Sequence, residues 1–328
     1  MATLKEIAEK ANVSICTVSR YLSKNSNLKQ ATEEKVKKAI EELNYIPNNV
    51  ARSLKTRRTN NIAVVLPKIN NLYYSEITSG ISEVLKKHHY NLFIVEFEHH
   101  RDEEGEILLT LLENMMAGVI FLGLSGDTSF HESVAMLQQH HLPFVYANRM
   151  IPDKEYSLIY PDYRQAGELA TEHLVSQGKR HLAMITQSVS RLDLQQHIGG
   201  FIGKAQEYGI EVGEHQIFRQ EEHVFDQEFI HGLRQKKIDG IFATNEMTAL
   251  SLLKGLLNQG VKVPEEIAVI GFGNSLLGTL ATPELTTIDL QNAKLGSLSA
   301  EKLLRQIDGV EGDTITILKP HIIVRKSS

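Results

Sequence analysis

Polar side chains between residues 14 and 20 are the first in this sequence whose types and spacing could do chemistry. Ser14 can cap a helix over residues 15 to about 22, in which Val18 and Leu22 face inward at a four-residue spacing. The side chains left outside that helix would be Ile15, Cys16, Ser19 and Arg20. An exposed helix face that carries hydroxyl groups and a guanidinium group can hydrogen-bond to a nucleic acid.

A preceding helix and a tight turn must position this face. Thr3 and Glu6 fit a capping box that opens a helix over Leu4–Ala11, and Asn12 stands where a left-handed residue is useful in the turn. A helix, a tight turn and a helix that exposes small polar groups form the helix-turn-helix arrangement. The pattern alone leaves an ordinary three-helix core as the alternative.

A third helix completes this N-terminal region. The apolar periodicity predicts it from Thr32, as its cap, to residue 44. Residues 45–54 then end the helix at a proline and start a very short new one.

Charge is unevenly distributed along the chain. Residues 1–58 hold twelve Lys and Arg against six Glu, a net charge of +6, whereas the whole chain carries −5, which leaves −11 on residues 59–328. A basic N-terminal region in front of an acidic body predicts that the first part meets a polyanion. A chance asymmetry of a solvated surface is the alternative.

Composition bounds the class of protein. Hydrophobic residues make up 42% and charged residues 23% of the 328 residues, which is typical of a globular chain with two or three domains. One cysteine excludes a disulfide framework and a cysteine-rich zinc site. With no secretory signal and no apolar run near the ~20 residues of a membrane span, we expect a soluble, cytoplasmic protein without membrane contact.

Four motifs closely resemble the LacI/GalR family of bacterial transcription regulators. They are Thr-Leu-Lys-Glu-Ile-Ala at 3–8, Val-Ser at 13–14, Thr-Val-Ser-Arg at 17–20 and Tyr-Ile-Pro-Asn-Asn-Val-Ala-Arg-Ser-Leu at 45–54. The resemblance continues to Val-Arg-Lys-Ser-Ser at 324–328 and covers essentially the whole chain. It implies a small all-α helix-turn-helix head in front of an α/β two-lobed periplasmic-binding-protein-like core.

The resemblance divides the chain into three parts. We expect a helix-turn-helix DNA-binding domain at 1–47, a hinge helix and linker at 48–61, and a core for effector binding and dimerisation at 62–328. Lobe one of the core is expected at about 62–161 and 293–319, and lobe two at about 162–290 and 320–328.

The resemblance also implies how the head reads double-stranded DNA. The second helix would lie in the major groove with Ile15, Cys16 and Arg20 at the base-reading positions, where Arg20 could bond bidentately to guanine. Cys16 could instead be a small buried residue. Ser14, Thr17 and Ser19 are interpreted as phosphate-contacting or capping groups. The expected DNA-binding residues are Thr3, Ser14, Ile15, Cys16, Thr17, Ser19, Arg20, Tyr45, Asn48, Ala51 and Leu54.

Residues 48–55 resemble the hinge helix of the family. About two turns are too few for a stable helix in water, so we expect this helix to form only on DNA. Two such hinges would pair in the minor groove of the operator, where Leu54 would wedge into the central base step. A core residue of an ordinary linker is the alternative for Leu54.

From residue 62 onward, short apolar runs alternate with stretches of helical period. This alternation predicts parallel sheets covered on both faces, with too many strands for one sheet and therefore two lobes. A ligand would sit between the lobes, beyond the carboxyl ends of the strands. The predicted strands are 62–66, 92–97, 118–124, 144–146, 181–185, 240–243 and 267–272, and the predicted helices include 76–89, 164–177 and 246–259.

Candidate effector-binding residues follow these strands at positions that match family motifs. Tyr73 and Tyr74 follow the first strand, and a tyrosine that stacks on a ligand suits a polyhydroxyl molecule, with simple packing as the alternative. Arg149 follows the fourth strand, and Asn245 is expected to hydrogen-bond the ligand. Asp162 is either a wall of the cleft or the cap of the helix at 164.

Two departures from the family bear on the ligand. His197 stands where the family has an effector arginine, and Gly273, followed by Asn274, stands where it has an effector aspartate. Because an Asp and an Arg together bind neutral sugar hydroxyls, their loss favours an anionic sugar derivative, such as a sugar phosphate or acid sugar, held by His197, Arg149 and Arg191. The alternative is a regulator that is constitutive or gated by a protein partner, with a vestigial cleft.

These features together favour ligand-gated repression over catalysis. A homodimer would present two heads to a pseudo-palindromic operator, and lobe closure would change the distance between the hinges. The adjacent histidine pairs lack the spacing of a metal site, and neither a nucleotide-binding loop nor a nucleophile elbow occurs. We expect no catalytic residue, no metal and no cofactor; a sugar-modifying enzyme with a DNA-binding head is the remaining rival.

Overall fold

The computed structural model describes residues 2–22, 28–45, 59–97, 101–123, 135–150, 156–186, 192–220, 224–310 and 312–328. For residues 101–104 the description covers the backbone alone. The chain divides into two compact units, residues 1–59 and residues 60–328. Across the described residues, no helix is both long and apolar enough to cross a membrane.

The first unit is built from helices. Its described part contains α1 (Leu4–Ala11), α2 (Ile15–Leu22) and α3 (Gln30–Glu42). Their apolar residues fall three and four positions apart, so each helix turns one face inward. The buried core consists of Ile7, Ala8, Ala11, Val18, Val36 and Ala39.

Local sequence signals fix the start and the end of α1. The Thr3 side chain accepts from the Glu6 N–H at 3.3 Å, and the Glu6 carboxylate accepts from the Thr3 N–H at 2.7 Å, which is the expected capping box. Asn12 ends the helix in the left-handed conformation, at φ 50°. These features confirm the predicted helix and turn.

The predicted N-cap of α3 was wrong by three residues. The helix begins at Gln30, and its N-cap is Lys29, which makes no side-chain capping bond. The Lys29 carbonyl already accepts from the Thr32 and Glu33 N–H groups at 2.8 and 3.2 Å, so Thr32 lies inside the first turn instead of capping it. The helix also ends at Glu42, earlier than residue 44.

The second unit alternates strands and helices. Its strands are β1 (Asn61–Leu66), β2 (Asn91–Glu96), β3 (Gly118–Leu122), β4 (Phe144–Ala147), β5 (Leu158–Pro161), β6 (Leu182–Thr186), β7 (Ile217–Arg219), β8 (Gly240–Ala243), β9 (Ala268–Gly273), β10 (Thr286–Asp289), β11 (Ile315–Leu318) and β12 (His321–Ile323). Its helices are α4 (Leu72–Lys87), α5 (Arg101–Glu113), α6 (Tyr163–Ser176), α7 (Leu192–Glu207), α8 (Gln227–Gln235), α9 (Glu246–Asn258), α10 (Leu276–Leu280) and α11 (Asn292–Ile307).

The strands of the described residues form two six-stranded sheets. The first has the order β11-β5-β4-β3-β1-β2, and all its pairs are parallel. The second has the order β12-β10-β9-β8-β6-β7, parallel except where β12 pairs antiparallel with β10. We call the first sheet with its helices lobe one and the second lobe two. Central strands such as β3 and β6 are buried at every position, as expected for parallel sheets covered on both faces.

Five strands lay outside the apolar runs from which strands were predicted. β7 and β12 have three residues each and are partly exposed, so they lack a continuous apolar signal. β11 is also partly exposed, β10 begins with two threonines, and β5 is only four residues long and ends at Pro161. Their strand state depends on pairing with neighbours that are distant in sequence.

Close packing of helix pairs fixes the frame around the carboxyl ends of the strands. In lobe two, a Cβ added at Gly200 on α7 would stand 2.0 Å from the Arg164 carbonyl oxygen of α6. In lobe one, a Cβ added at Gly296 on α11 would stand 2.0 Å from the Ile77 carbonyl oxygen of α4. Only glycine allows backbones to approach this closely. α4 carries two tyrosines at its start and α7 carries His197, so these contacts position site residues.

Candidate functional site

The exposed face of α2 is the first candidate site. Val18 is fully buried in the core of the first unit, whereas Ile15 is 49% exposed and Cys16, Ser19 and Arg20 are exposed. The four side chains that the sequence predicted to be exposed on this helix are therefore exposed in the structure. The exposure of Cys16 excludes its interpretation as a buried core residue.

The other predicted residues of this unit have structural partners. The Ser14 hydroxyl accepts from the Thr17 N–H at 3.1 Å and lies 2.9 Å from the Thr17 hydroxyl, so both serve the start of α2. Thr3 belongs to the capping box of α1. Tyr45 is half-buried and packs against the core. Asn48, Ala51 and Leu54 lie outside the described residues, so the hinge helix stays a prediction.

The second candidate site is a cavity of about 550 Å³ in the second unit, lined by residues of both lobes. Its size suits a small organic ligand. Its walls come from the segments that follow the carboxyl ends of β1, β4, β8 and β9 and from the starts of α6, α7 and α11. The lining includes six of the nine predicted effector residues, namely Tyr73, Tyr74, Arg149, His197, Asn245 and Gly273.

Two tyrosines and an asparagine form one wall of the cavity. The hydroxyl groups of Tyr73 and Tyr163 both donate to Asn148 Oδ1, the second at 2.9 Å. Burial raises the pKa of Tyr73 well above its ordinary value, so its hydroxyl stays protonated and remains a donor. Tyr74 packs edge-to-face on Tyr73, with ring centroids 5.4 Å apart.

Arg149 is buried and held by two acceptors. Its Nη1 lies 3.3 Å from Asp193 Oδ2, and its Nη2 donates to the Gly123 carbonyl at 2.6 Å. Asp193, in the first turn of α7, is itself buried and was not predicted from the sequence. Its spacing of four residues from His197 was the available signal, since residues at i and i+4 share one helix face.

His197 is buried in an aromatic surrounding. Its ring packs edge-to-face against Phe272, with centroids 4.5 Å apart, and is tilted against Tyr163 at 5.1 Å. The glycine contact between α6 and α7 brings this segment close to Tyr163, since Gly167 faces the His197 carbonyl. His197 therefore forms part of an aromatic wall of the cavity.

The segments after β8 and β9 supply polar groups. Asn245 caps α9 by accepting from the Thr248 N–H at 3.2 Å, and Glu246 accepts from the Ser275 N–H at 2.9 Å. Gly273 lines the cavity at φ 142°, a conformation that favours glycine. The position that corresponds to the effector aspartate of the family thus presents backbone to the cavity.

Two of the predicted effector residues lie outside the cavity lining, and a third is not among the described residues. Asp162 caps α6 by accepting from the Gln165 N–H at 2.9 Å, which settles its two interpretations in favour of the cap, because it lies outside the cavity lining. Asn274 is also outside the lining, because its Oδ1 accepts from the Arg325 guanidinium group. Arg191 lies outside the described residues.

Asn292, at the start of α11, is a cavity residue that sequence reasoning missed. Its Nδ2 donates to Glu76 Oε2 at 2.8 Å and to the Gly273 carbonyl at 3.3 Å. Burial raises the pKa of Glu76, the hydrogen bond from Asn292 opposes this, and the nearby Glu246 and Asp289 add to it. No sequence motif indicated this contact.

The described lining of the cavity carries charges of both signs. Lys68 and Arg149 are its basic residues, and Asp193 and Glu246 are its acidic ones. Asp193 supplies a carboxylate to the cavity from a position other than the one where the family has its effector aspartate. Among the residues that the structure describes, no group of three or more His, Cys, Asp or Glu side chains could hold a metal ion.

Two family models match the chain. The model described as "Bacterial regulatory proteins, lacI family" matches residues 3–48, and the model described as "Periplasmic binding protein-like domain" matches residues 171–328. The chain is 28% identical over 322 residues to catabolite control protein A of Staphylococcus xylosus, covering 98% of this chain and 97% of that protein. It is 28% identical over 331 residues to the same regulator of Priestia megaterium, covering 99% and 98%.

Solved structures agree with the fold. The complex of the transcriptional regulator CelR with cellobiose aligns over 100% of both chains, with a TM-score of 0.73 and 25% identity. The Lac repressor bound to ONPG aligns over 100% of this chain and 99% of its own, with a TM-score of 0.86 and 23% identity. The second likeness shows the fold alone.

Proposed function

Because the chain belongs to the LacI/GalR family of transcriptional regulators, we propose that it is a repressor that binds a pseudo-palindromic DNA operator as a homodimer. A small molecule in the cavity between the lobes sets its affinity for that operator. The two-fold axis of a dimer requires two matching half-sites in the DNA. Such a protein acts on chromosomal DNA, and we therefore place it in the cytoplasm.

The observation that carries the proposal is the exposed face of α2. Arg20, Ile15 and Cys16 project from a helix whose opposite side is locked into a core through Val18. A rigidly held helix can place side chains against base edges with fixed geometry, and arginine is the most frequent reader of guanine. The net charge of +6 over residues 1–58 attracts the phosphates of the DNA. This attraction does not depend on the base sequence and adds to the recognition of bases by α2.

The hinge belongs to the proposal as well. We keep the division into a head at 1–47, a hinge and linker at 48–61 and a core at 62–328. Residues 48–55 fold into a helix on the operator, and Leu54 opens the central base step. Replacing Leu54 with alanine then reduces operator bending, which a circular-permutation gel assay measures.

The effector is proposed to be a sugar derivative. The relative CelR was solved with cellobiose, and the cavity here combines tyrosine rings with amide, carboxylate and guanidinium groups. Tyrosine faces and charge-assisted hydrogen bonds are the groups that hold polyhydroxyl ligands. An anionic group, as in a sugar phosphate or acid sugar, would be attracted to Lys68, which is exposed and lines the cavity, because Arg149 is already paired with Asp193.

Lobe closure supplies the coupling. Both lobes line the cavity, so a ligand that contacts both favours one arrangement of the lobes over others. A tenfold change in operator affinity needs only about 1.4 kcal/mol of coupling, which is within the usual range for allosteric proteins.

A selection experiment tests the proposal. The purified protein is incubated with random-sequence duplexes, and the bound fraction is amplified and sequenced, with and without sugars, sugar phosphates and sugar acids. We expect enrichment of one symmetric site, and a change in its affinity with at least one of the compounds. Binding that is equal for symmetric and random duplexes under every compound would overturn the proposal, and turnover of a compound would favour an enzyme.

A further inference from the structure

The amide of Asn292 has only one orientation that satisfies its neighbours. Both groups within reach of its Nδ2, the Glu76 carboxylate at 2.8 Å and the Gly273 carbonyl at 3.3 Å, are acceptors. An amide oxygen in that place would face two acceptors and make no hydrogen bond. The NH₂ group therefore points at Glu76 and Gly273, and the other amide atom is an oxygen.

That oxygen is an unused acceptor. Asn292 is 4% exposed, and its Oδ1 is buried with no hydrogen-bond partner within the described part of the chain. A buried acceptor without a partner is costly, so a ligand group that donates to it gains free energy that an exposed acceptor would not provide. The same residue lines the cavity, so a molecule bound there lies beside this side chain.

The surroundings of Asn292 favour a donor and disfavour an anion. The negative charges of Glu246 and Asp289 act on Glu76, the partner of Asn292, and Glu246 also lines the cavity. A phosphate or carboxylate oxygen placed here would meet acceptors and like charges. A hydroxyl or an ammonium group would meet an acceptor in a negative potential.

Asn292 also links the two lobes. Glu76 lies on α4 of lobe one, and Gly273 ends β9 of lobe two. A donor at Oδ1 polarises the amide and strengthens both bonds of its NH₂ group. Ligand binding at this atom is thereby connected to the contact between the lobes.

We propose that Asn292 is the specificity-determining residue of the cavity: its Oδ1 takes a hydroxyl or ammonium donor of the effector, while its NH₂ group ties that ligand to both lobes. The inference rests on the proposed function, because it assumes that the cavity binds the effector. It adds the chemical class of the group that the effector presents at this point.

Isothermal titration calorimetry on the full-length protein tests whether Asn292 Oδ1 accepts a hydrogen bond from the effector. The probes are cellobiose, D-glucosamine, D-gluconate and D-glucose 6-phosphate, and the tightest binder is then compared with its monodeoxyfluoro analogues, in which one hydroxyl at a time can no longer donate. We expect one analogue to bind at least tenfold more weakly to the wild type. Asn292→Leu should lose at least tenfold for the parent probe and should no longer distinguish that analogue from the parent.

Gln206→Leu is the matched control, because Gln206 is an exposed amide on α7. It should bind the parent probe within twofold of the wild type and keep the wild-type discrimination. Asn292→Ser, which cannot span to Glu76, replaces Asn292→Leu if the latter does not fold.

Two negative results have different meanings. If none of the four probes binds the wild type, the proposed effector role of the cavity is overturned, and this inference falls with it. If a probe binds the wild type and the Asn292 variant equally, or if the variant still discriminates the same analogue, the cavity binds an effector but Asn292 does not select it.

Discussion

Arg149 and Asp193 form a buried ion pair across the cavity although 44 residues separate them in sequence. The side chains of both are less than a tenth exposed, and Nη1 lies 3.3 Å from Oδ2. Arg149 follows β4 of lobe one, whereas Asp193 begins α7 of lobe two. The pair therefore joins the lobes through charge and neutralises the arginine that the sequence assigned to an anionic ligand.

Removing one member of this pair should be strongly destabilising. Asp193→Ala leaves the Arg149 guanidinium buried without its carboxylate, and breaking a buried pair in this way typically costs about 3–5 kcal/mol. Urea unfolding of the second unit measures the loss. Replacing both residues, as in Arg149→Met with Asp193→Leu, should recover most of the stability, because a buried pair is often no better than apolar side chains of similar size.

An exposed ion pair provides the control for this experiment. On α6, Arg164 Nε lies 3.1 Å from Glu168 Oε1, and the two side chains are 57% and 35% exposed. Glu168→Ala should therefore lower the free energy of unfolding by less than about 1 kcal/mol. If Asp193→Ala and Glu168→Ala lower the free energy of unfolding by similar amounts, the buried pair contributes no more to stability than the exposed one.

Arg20→Ala should relax the sequence preference of the operator. If Arg20 contacts a guanine bidentately, its loss costs about 1–3 kcal/mol on the correct site and little on sites that already lack that guanine. Fluorescence anisotropy with a set of single-base operator variants measures this. Ser19→Ala, on the same exposed face, should weaken binding by a similar factor on all sequences; the same uniform loss for Arg20→Ala would mean that Arg20 contacts only phosphate.

Gly200→Ala should destabilise lobe two. The added Cβ would stand 2.0 Å from the Arg164 carbonyl oxygen, so α6 and α7 must move apart, and such overpacking typically costs about 1–3 kcal/mol. Thermal unfolding monitored by circular dichroism measures the effect. Gly232→Ala, in α8 with no atom within 4 Å of the added Cβ, should instead stabilise the protein by up to about 1 kcal/mol. Two variants of equal stability would contradict the packing argument.

Glu76→Gln should stabilise the protein increasingly as the pH rises. Burial raises the pKa of Glu76 above its ordinary value of 4.5, so the folded protein binds this proton more tightly than the unfolded chain does. The stability that comes from this protonation is present below the ordinary pKa and is lost as the pH rises through the raised pKa. Glutamine resembles the protonated form and avoids that loss.

The measurement is the difference in free energy of unfolding between Glu76→Gln and the wild type, from about pH 4.5 to about pH 8. The variant should become more stable relative to the wild type as the pH rises over this range, and the difference should then level off. Glu83→Gln, which removes an exposed carboxylate from the same helix, provides the baseline. A difference that does not change with pH would mean that Glu76 has the same pKa in the folded and unfolded states.

Local signals in the sequence predicted much of the fold. The capping box of Thr3 and Glu6, the left-handed Asn12 and the seven apolar runs each depend on neighbours in sequence, and each forms the expected element. The start of α3 was misplaced because a good capping residue, Thr32, was available inside the helix that Lys29 begins without a side-chain cap. The short, half-exposed β7 and β12 depend on tertiary pairing.

The cavity was only partly predictable. Tyr73, Arg149 and Asn245 follow strands that the sequence predicted, and they line the cavity; their contact with an effector stays a prediction. Asp193 and Asn292 were missed because their partners Arg149 and Glu76 are 44 and 216 residues away in sequence. The four-residue spacing of Asp193 from His197 places the two on one helix face but does not report the contact with Arg149. Asp162 and Asn274 each follow a strand, but their side chains accept hydrogen bonds outside the cavity lining. Asp162 accepts from the nearby Gln165 N–H, and Asn274 accepts from Arg325, 51 residues away in sequence.

The glycine contacts between helices have a mechanical consequence. Where Gly200 meets Arg164 and Gly296 meets Ile77, backbone touches backbone with no side chain between them to bend or change rotamer. Each helix pair must therefore move as one rigid unit. Flexibility between the lobes then comes from the connections between strands and helices, such as Asp289 to Asn292, where the chain passes from one sheet to the other. Because Asn292 on the cavity wall ends that connection, a molecule bound there acts directly on the segment that lets one lobe move against the other.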